Sequence, residues 1–298
     1  MKHRLFAPRS LWFALIFTAI AGMVYGTLDK LDPHWPVTRT IGLLTHPLNF
    51  VAYGLGFFFC RRIALDFQAP SGMRLAWNLM AASSVMAIVR YGYELYVGIF
   101  RAARNDQWVR LIVQHAAPNA SLLLLLGSLI AMWSSFAVFG LGFKLRRAHL
   151  YLIVFLLLMA PPVLWVSESY REGRGLYAML WNATQITTPL LLAASGAVGV
   201  LLFSISEEMG RGHLSKSLHY LVAFVAIRLA SLLVNAYPQL TSTAPLNAIR
   251  VATWWSIPWL FALAMVYRWQ LTVEMSDTIR ELESEPDMAL PKSAGVRR

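Results

Sequence analysis

The chain has 298 residues, of which 57% are hydrophobic, 13% aromatic and only 14% charged, and its formal net charge is +11. So few charged side chains leave too little polar surface to clothe a soluble domain. The positive excess does not mark a nucleic-acid binder either, because the basic residues punctuate apolar runs and form no single stripe.

A helix rises about 1.5 Å per residue, so roughly 20 apolar residues cross a hydrocarbon core of about 30 Å. In chain order the apolar runs are Leu11 to Leu28, Ile41 to Cys60, Leu75 to Tyr96, Ala120 to Phe143, Leu150 to Val166, Trp181 to Phe203, Leu218 to Tyr237 and Val251 to Tyr267. They predict an all-α, polytopic integral membrane bundle of about eight transmembrane helices. Before the first run stand Lys2, Arg4 and Arg9, and within it Ala19, Ile20 and Ala21 mimic a signal-peptide cleavage site. The apolar character continues through Met23, Val24 and Tyr25, so a retained anchor is expected. Cys60, the single cysteine, excludes an internal disulfide and a cysteine metal site.

Basic residues gather in alternate loops. Arg61, Arg62 and Arg74, then Lys144, Arg146 and Arg147, then Arg211 and Lys216 share the side of the N-terminus, as do Arg268, Arg280, Lys292, Arg297 and Arg298 after the last run. They outnumber the basic residues of the other side by about two to one, which predicts both termini in the cytoplasm and a cytoplasmic (inner) membrane location. Trp12, Trp77 and Trp269 near the inner ends, and Trp35, Trp108, Trp165, Trp181, Trp254 and Trp255 near the outer ends, read as interfacial belts. The longest loop, about Phe100 to Asn119, has room only for a surface helix around Trp108 to Gln114.

Charges inside a span cost about 2.5–3.5 kcal/mol each on insertion scales and are therefore turned inward and paired. Arg90 and Glu94 lie one helical turn apart in the third span, among Tyr91, Tyr93 and Tyr96. Arg228 lies deep in the seventh span, with Ser231 and Asn235 on its face. The sixth span opens with Asn182, Thr184, Gln185, Thr187 and Thr188 before Pro189, while Pro161, Pro162 and Pro258 break other spans. These residues predict a cationic pocket on the outer side, lined by the third, sixth and seventh spans with Glu168 at its mouth, and suited to an anionic or carbonyl-rich small molecule or lipid. The competing reading is interhelical hydrogen bonding that fixes packing alone.

No spacing of the seven histidines supports a metal or haem site, although His34, His46 and His115 share the outer side. No nucleophile elbow, phosphate-cradling loop, zinc-protease pattern or paired carboxylates suggest an enzyme, and no cofactor is indicated. After the last span, Leu271, Met275, Ile279 and Leu282 recur at helical spacing until Pro286. The expected organisation is a bundle over residues 1–270, a cytoplasmic amphipathic extension over 271–285 that offers a partner or homo-oligomer its apolar stripe, and a disordered tail over 286–298.

In its architecture, and in features such as the Arg61 and Arg62 pair followed by Arg74, Leu75, Ala76 and Trp77 at the opening of the next span, the chain resembles the multi-span membrane input regions of bacterial signalling proteins. It departs from them in ending after a short helix, with no kinase, cyclase or receiver module. The resemblance implies a small-ligand sensor or scaffold. A transporter or channel for a small anion, and a membrane enzyme acting on a lipid or isoprenoid, are the alternatives.

Overall fold

Among the described residues, the apolar runs fold as helices. A computed structural model describes residues 8–33, 36–67, 71–100, 107–138, 146–158, 175–208, 213–236 and 242–284. The helices are α1 (Pro8–Leu31), α2 (Pro36–Leu65), α3 (Gly72–Phe100), α4 (Gln107–Arg110), α5 (Ala117–Val138), α6 (Arg147–Leu158), α7 (Leu176–Glu208), α8 (His213–Ala236) and α9 (Ala244–Ser284). Six stretches among them are long and apolar enough to cross a membrane: α1, α2, α3, the run Gln107–Ala137, α7 and α9. The chain is thus an integral membrane protein by length and composition. On α1, Phe13, Ile16, Phe17, Ile20 and Met23 are exposed along one face, as hydrocarbon solvent requires.

The segment expected to be a separate surface helix is instead the start of the fourth span. Leu111–Ala116 forms a π-helical turn that joins α4 to α5, and the Ala117 N–H reaches back five residues to the Ile112 carbonyl. Pro118, which has no N–H and crowds the preceding turn, follows at once; a widened turn accommodates it. Residues 159–174, including Pro161, Pro162 and Glu168, lie outside the described residues, as does the tail from 285 onward.

Helix α9 is the mast of the bundle. Every residue from Ile257 to Val266 is buried, as expected of a helix that is apolar on all sides. It packs against α1, α2 and α8, while α2, α3, α5, α7 and α8 follow one another in contact around the bundle; α6 lies outside on α7. The α1–α9 contact is the closest. A Cβ on Gly22 would lie 2.7 Å from the Ala252 Cα, and one on Gly26 would lie 2.7 Å from the Ala248 Cα. Glycine at these two positions lets the backbones touch and gain dispersion contacts, which is the main attraction available between helices in lipid. The Asn247 side chain, wholly buried, donates to the Gly26 carbonyl at 2.7 Å. Because Gly22 meets Ala252 and Gly26 meets Ala248, the two helices run antiparallel. The start of α1 and the end of α9 therefore leave the bundle on the same side.

Hydroxyls add a second kind of seam. Between α3 and α5, the Ser83 Oγ donates to the Ser121 carbonyl at 2.7 Å and the Ser121 Oγ donates to the Ser83 carbonyl at 2.9 Å. Between α8 and α9, the Ser217 Oγ donates to the Ala264 carbonyl at 2.7 Å.

Candidate functional site

On the side of the bundle away from the start of α1 and the end of α9, a cavity of about 620 Å³ lies between α1, α2, α3 and α9. That volume is within the range of small-molecule sites. Tyr25 comes from α1, and Thr38, Leu43, Thr45, His46 and Asn49 come from α2. Arg90, Tyr91 and Glu94 come from α3, and Trp254 and Trp255 from α9. The α1–α9 contact sets one wall, since the Tyr25 ring stacks on Trp255 with centroids 5.1 Å apart.

Arg90 is held by aromatic faces. Its guanidinium carbon is 5.7 Å from the Trp254 ring centroid and 5.6 Å from that of Tyr91. Its Nε is buried and has no hydrogen-bond partner among the described residues. The same is true of the Thr45 Oγ1 and of both side-chain polar atoms of Asn49, a residue only 1% exposed. A buried polar atom left unanswered costs about 1–3 kcal/mol, so this concentration beside one cavity is energetically conspicuous.

Glu94 also lines the cavity and is positioned from behind. The Gln114 amide of the π-helical turn donates to its carboxylate at 2.5 Å, and the Arg110 Nε donates to the Gln114 Oε1 at 2.9 Å. Arg228, on α8, shares a neighbourhood with Tyr53, Tyr91 and Arg90. Its guanidinium lies 6.0 Å from the Phe224 ring centroid, and a run of aromatic contacts leads from Phe224 through Phe261 and Tyr53 to Tyr91. The two arginines singled out in the sequence thus stand at either end of one aromatic core.

The polar residues of the sixth span go elsewhere. Gln185 hydrogen-bonds to the His115 Nδ1 at 3.1 Å. Asn119 is the hub: its Nδ2 donates to the His115 and Thr184 carbonyls at 3.0 and 3.2 Å, and its Oδ1 accepts from the hydroxyls of Thr187 and Thr188 at 3.1 and 3.0 Å. The His115 ring packs on Trp181 with centroids 4.0 Å apart. Asn182 is half-buried on the same helix. The cavity is therefore lined by the first, second, third and last spans, and not by the sixth and seventh. The sixth-span polar residues are absorbed by a seam with α5 and the π-helical turn. The side chain of Asn235 and the whole of Glu168 lie outside the described residues, so neither is located relative to the cavity.

Sequence reasoning missed Thr45, Asn49 and Pro47 in the second span, and took Trp254 and Trp255 for belt residues. A signal was present: Thr45, His46 and Asn49 bracket Pro47 within five residues of a span that is otherwise apolar. Trp77 and Trp181 are likewise packed inside the bundle, at 3% and 7% exposure. Among the described residues no three His, Cys, Asp or Glu side chains are grouped to hold a metal ion. Comparison with known proteins finds no family model that matches the chain and no curated protein or solved structure similar to it.

Proposed function

We propose that this integral membrane protein is a ligand-binding component, a sensor or signalling scaffold, whose cavity takes a small molecule or lipid headgroup bearing an anionic group. One observation carries the reading: Arg90, Thr45 and Asn49 gather buried, unanswered polar atoms around a cavity of ligand size. Arg228 adds a second cation at the far end of the aromatic run that leads from Tyr91 through Tyr53 and Phe261 to Phe224. Two guanidinium groups in one apolar neighbourhood raise the potential and favour an anion.

Output is proposed through α9. The helix runs on from the span, which ends at Val273, to Ser284; Leu271 belongs to the last turn of the span, and Met275, Ile279 and Leu282 follow it on the same helix. A second copy or a protein partner pairing with that stripe would report the ligand. The positive-inside bias supports a cytoplasmic position for the stripe and for both termini.

The test is ligand-induced stabilisation of the purified protein in nanodiscs, screened with inorganic phosphate and simple carboxylates. Arg90→Gln is expected to abolish the response while the protein still melts cooperatively. A response unchanged by Arg90→Gln would remove the cavity reading. Replacing Ile279 and Leu282 by Asp is expected to abolish partner capture or self-association without changing the melt; unchanged association would remove the signalling half.

A further inference from the structure

The other end of the bundle carries a charged groove. Phe59 packs on Trp269 and Arg61 meets Asn78, so the end of α2 and the start of α3 lie where α9 leaves the bundle, opposite the cavity described above. There a groove of about 470 Å³ runs along the first two turns of α3, lined by Ser71, Gly72, Arg74, Leu75 and Asn78. Gly72 is the first residue of the membrane-spanning stretch, so from Gly72 to Asn78 the groove covers about 9 Å at the boundary where lipid headgroups lie. Arg74 is half-buried, and its guanidinium has no hydrogen-bond or ion-pair partner among the described residues. Asp66, just after the end of α2, has Arg62 and Arg268 as its charged neighbours instead.

The hydrogen bonds made at the groove use up acceptors and leave donors. The Asn78 Oδ1 accepts from the Arg61 Nη1 at 2.5 Å, which leaves the amide its two N–H groups. The Ser71 Oγ accepts from the Arg74 backbone N–H at 3.2 Å and keeps its O–H. With the Arg74 guanidinium and the remaining N–H groups of Arg61, the site offers donors and two positive charges, and no carboxylate lines it. An anion with several acceptor oxygens matches that set. Apolar surface adjoins the charges, since Leu75 in the groove and Phe58, one turn before Arg61 on α2, are both exposed. We propose that the groove binds the phosphate of an anionic glycerophospholipid of the phosphatidylglycerol type, whose acyl chains follow Leu75 into the bilayer. A zwitterionic headgroup would bring its ammonium to two guanidinium groups with no carboxylate to receive it, which selects against phosphatidylethanolamine. A free phosphate would make the same charged contacts and gain nothing from Leu75, so the lipid is the occupant.

The experiment uses the full chain in mild detergent, titrated with phosphatidylglycerol and phosphatidylethanolamine of identical acyl chains, and reads the first bound lipid by native mass spectrometry. Phosphatidylglycerol is expected to bind about tenfold more tightly. Arg74→Gln is expected to remove that preference. Arg61→Gln, at an exposed position, is expected to reduce it by about threefold, and keeps the test decisive should Arg74→Gln fail to fold. Arg147→Gln, at an exposed arginine that opens α6 and does not line the groove, is expected to leave the preference unchanged. Equal binding of the two lipids, or the same loss in Arg147→Gln as in Arg74→Gln, which is the signature of general surface charge, would overturn the inference. Glycerol 3-phosphate supplies the solute arm: failure to displace phosphatidylglycerol supports the lipid, whereas binding as tight as the lipid's would assign the groove to a free phosphate and overturn it. The cavity at the opposite end is tested separately by Arg90→Gln and stands or falls on its own.

Discussion

Two polar regions lie at the same end of this bundle and are built from similar side chains, yet they differ in one respect. Between α5 and α7, Asn119 answers two carbonyls and two hydroxyls, and Gln185 answers His115. Between α2, α3 and α9, Asn49 and Thr45 have no partner among the described residues. The first is a seam whose polar groups are consumed in holding helices together; the second keeps its polar groups in reserve. An asparagine in a membrane span therefore has no fixed meaning. Its meaning lies in whether a neighbouring helix has already satisfied it.

Four substitutions test that contrast, from the largest expected effect to the smallest. Gly26→Leu forces a side chain into the Ala248 backbone and should displace α1, with a cost of about 3 kcal/mol. Because α1 supplies Tyr25 to the cavity wall, ligand-induced stabilisation should vanish as well, as a thermal melt with and without phosphate would show. Asn119→Ala removes the seam's hub and should destabilise by about 2 kcal/mol, at the upper end for polar contacts between membrane helices. The ligand response of that variant should be unchanged, since only the seam is touched. Gln185→Leu should cost about 0.6 kcal/mol in the same melt, the average for such a contact, again with no effect on the ligand.

Thr45→Val is the most discriminating although its effect on the melt is the smallest. It replaces a hydroxyl that has no partner with a methyl group of similar size, so stability should stay within about 0.5 kcal/mol or rise. Affinity for the anion should fall by a few-fold. A strongly destabilised Thr45→Val protein would mean that the hydroxyl is satisfied within the bundle, and the contrast between the two regions would collapse.

The two halves of this picture were unequally legible in the sequence. Apolar runs announced the spans, since in lipid a helix must satisfy its own backbone and little else competes. Arg90, Glu94 and Arg228 stood out because ionisable groups are rare at such depth. Gln185 and Asn182 stood out as polar groups in an apolar span and were assigned to the pocket; the structure pairs Gln185 with His115 and leaves Asn182 half-buried on the same helix. Their helix finds its partners on a different span, at His115 and Asn119, and no single-sequence pattern reveals that pairing. Asn49 failed in the opposite sense: it is unremarkable in the chain and becomes notable only when nothing is found opposite it. The π-helical turn was invisible because its cause, Pro118 two residues after its end, acts on the hydrogen-bond register and not on hydropathy.

The unbroken length of α9 gives the molecule a lever. From Trp254 at the cavity to Ser284 at the far end there are about 30 residues, or roughly 45 Å of rod. A tilt of about 5° at the upper end would swing the lower end by about 4 Å, enough to bring an apolar stripe into or out of register with a second helix. Gly22 and Gly26 tie α1 to the same helix at Ala252 and Ala248, just above this rod, so a tilt there would involve both helices, with Pro258 as the fulcrum.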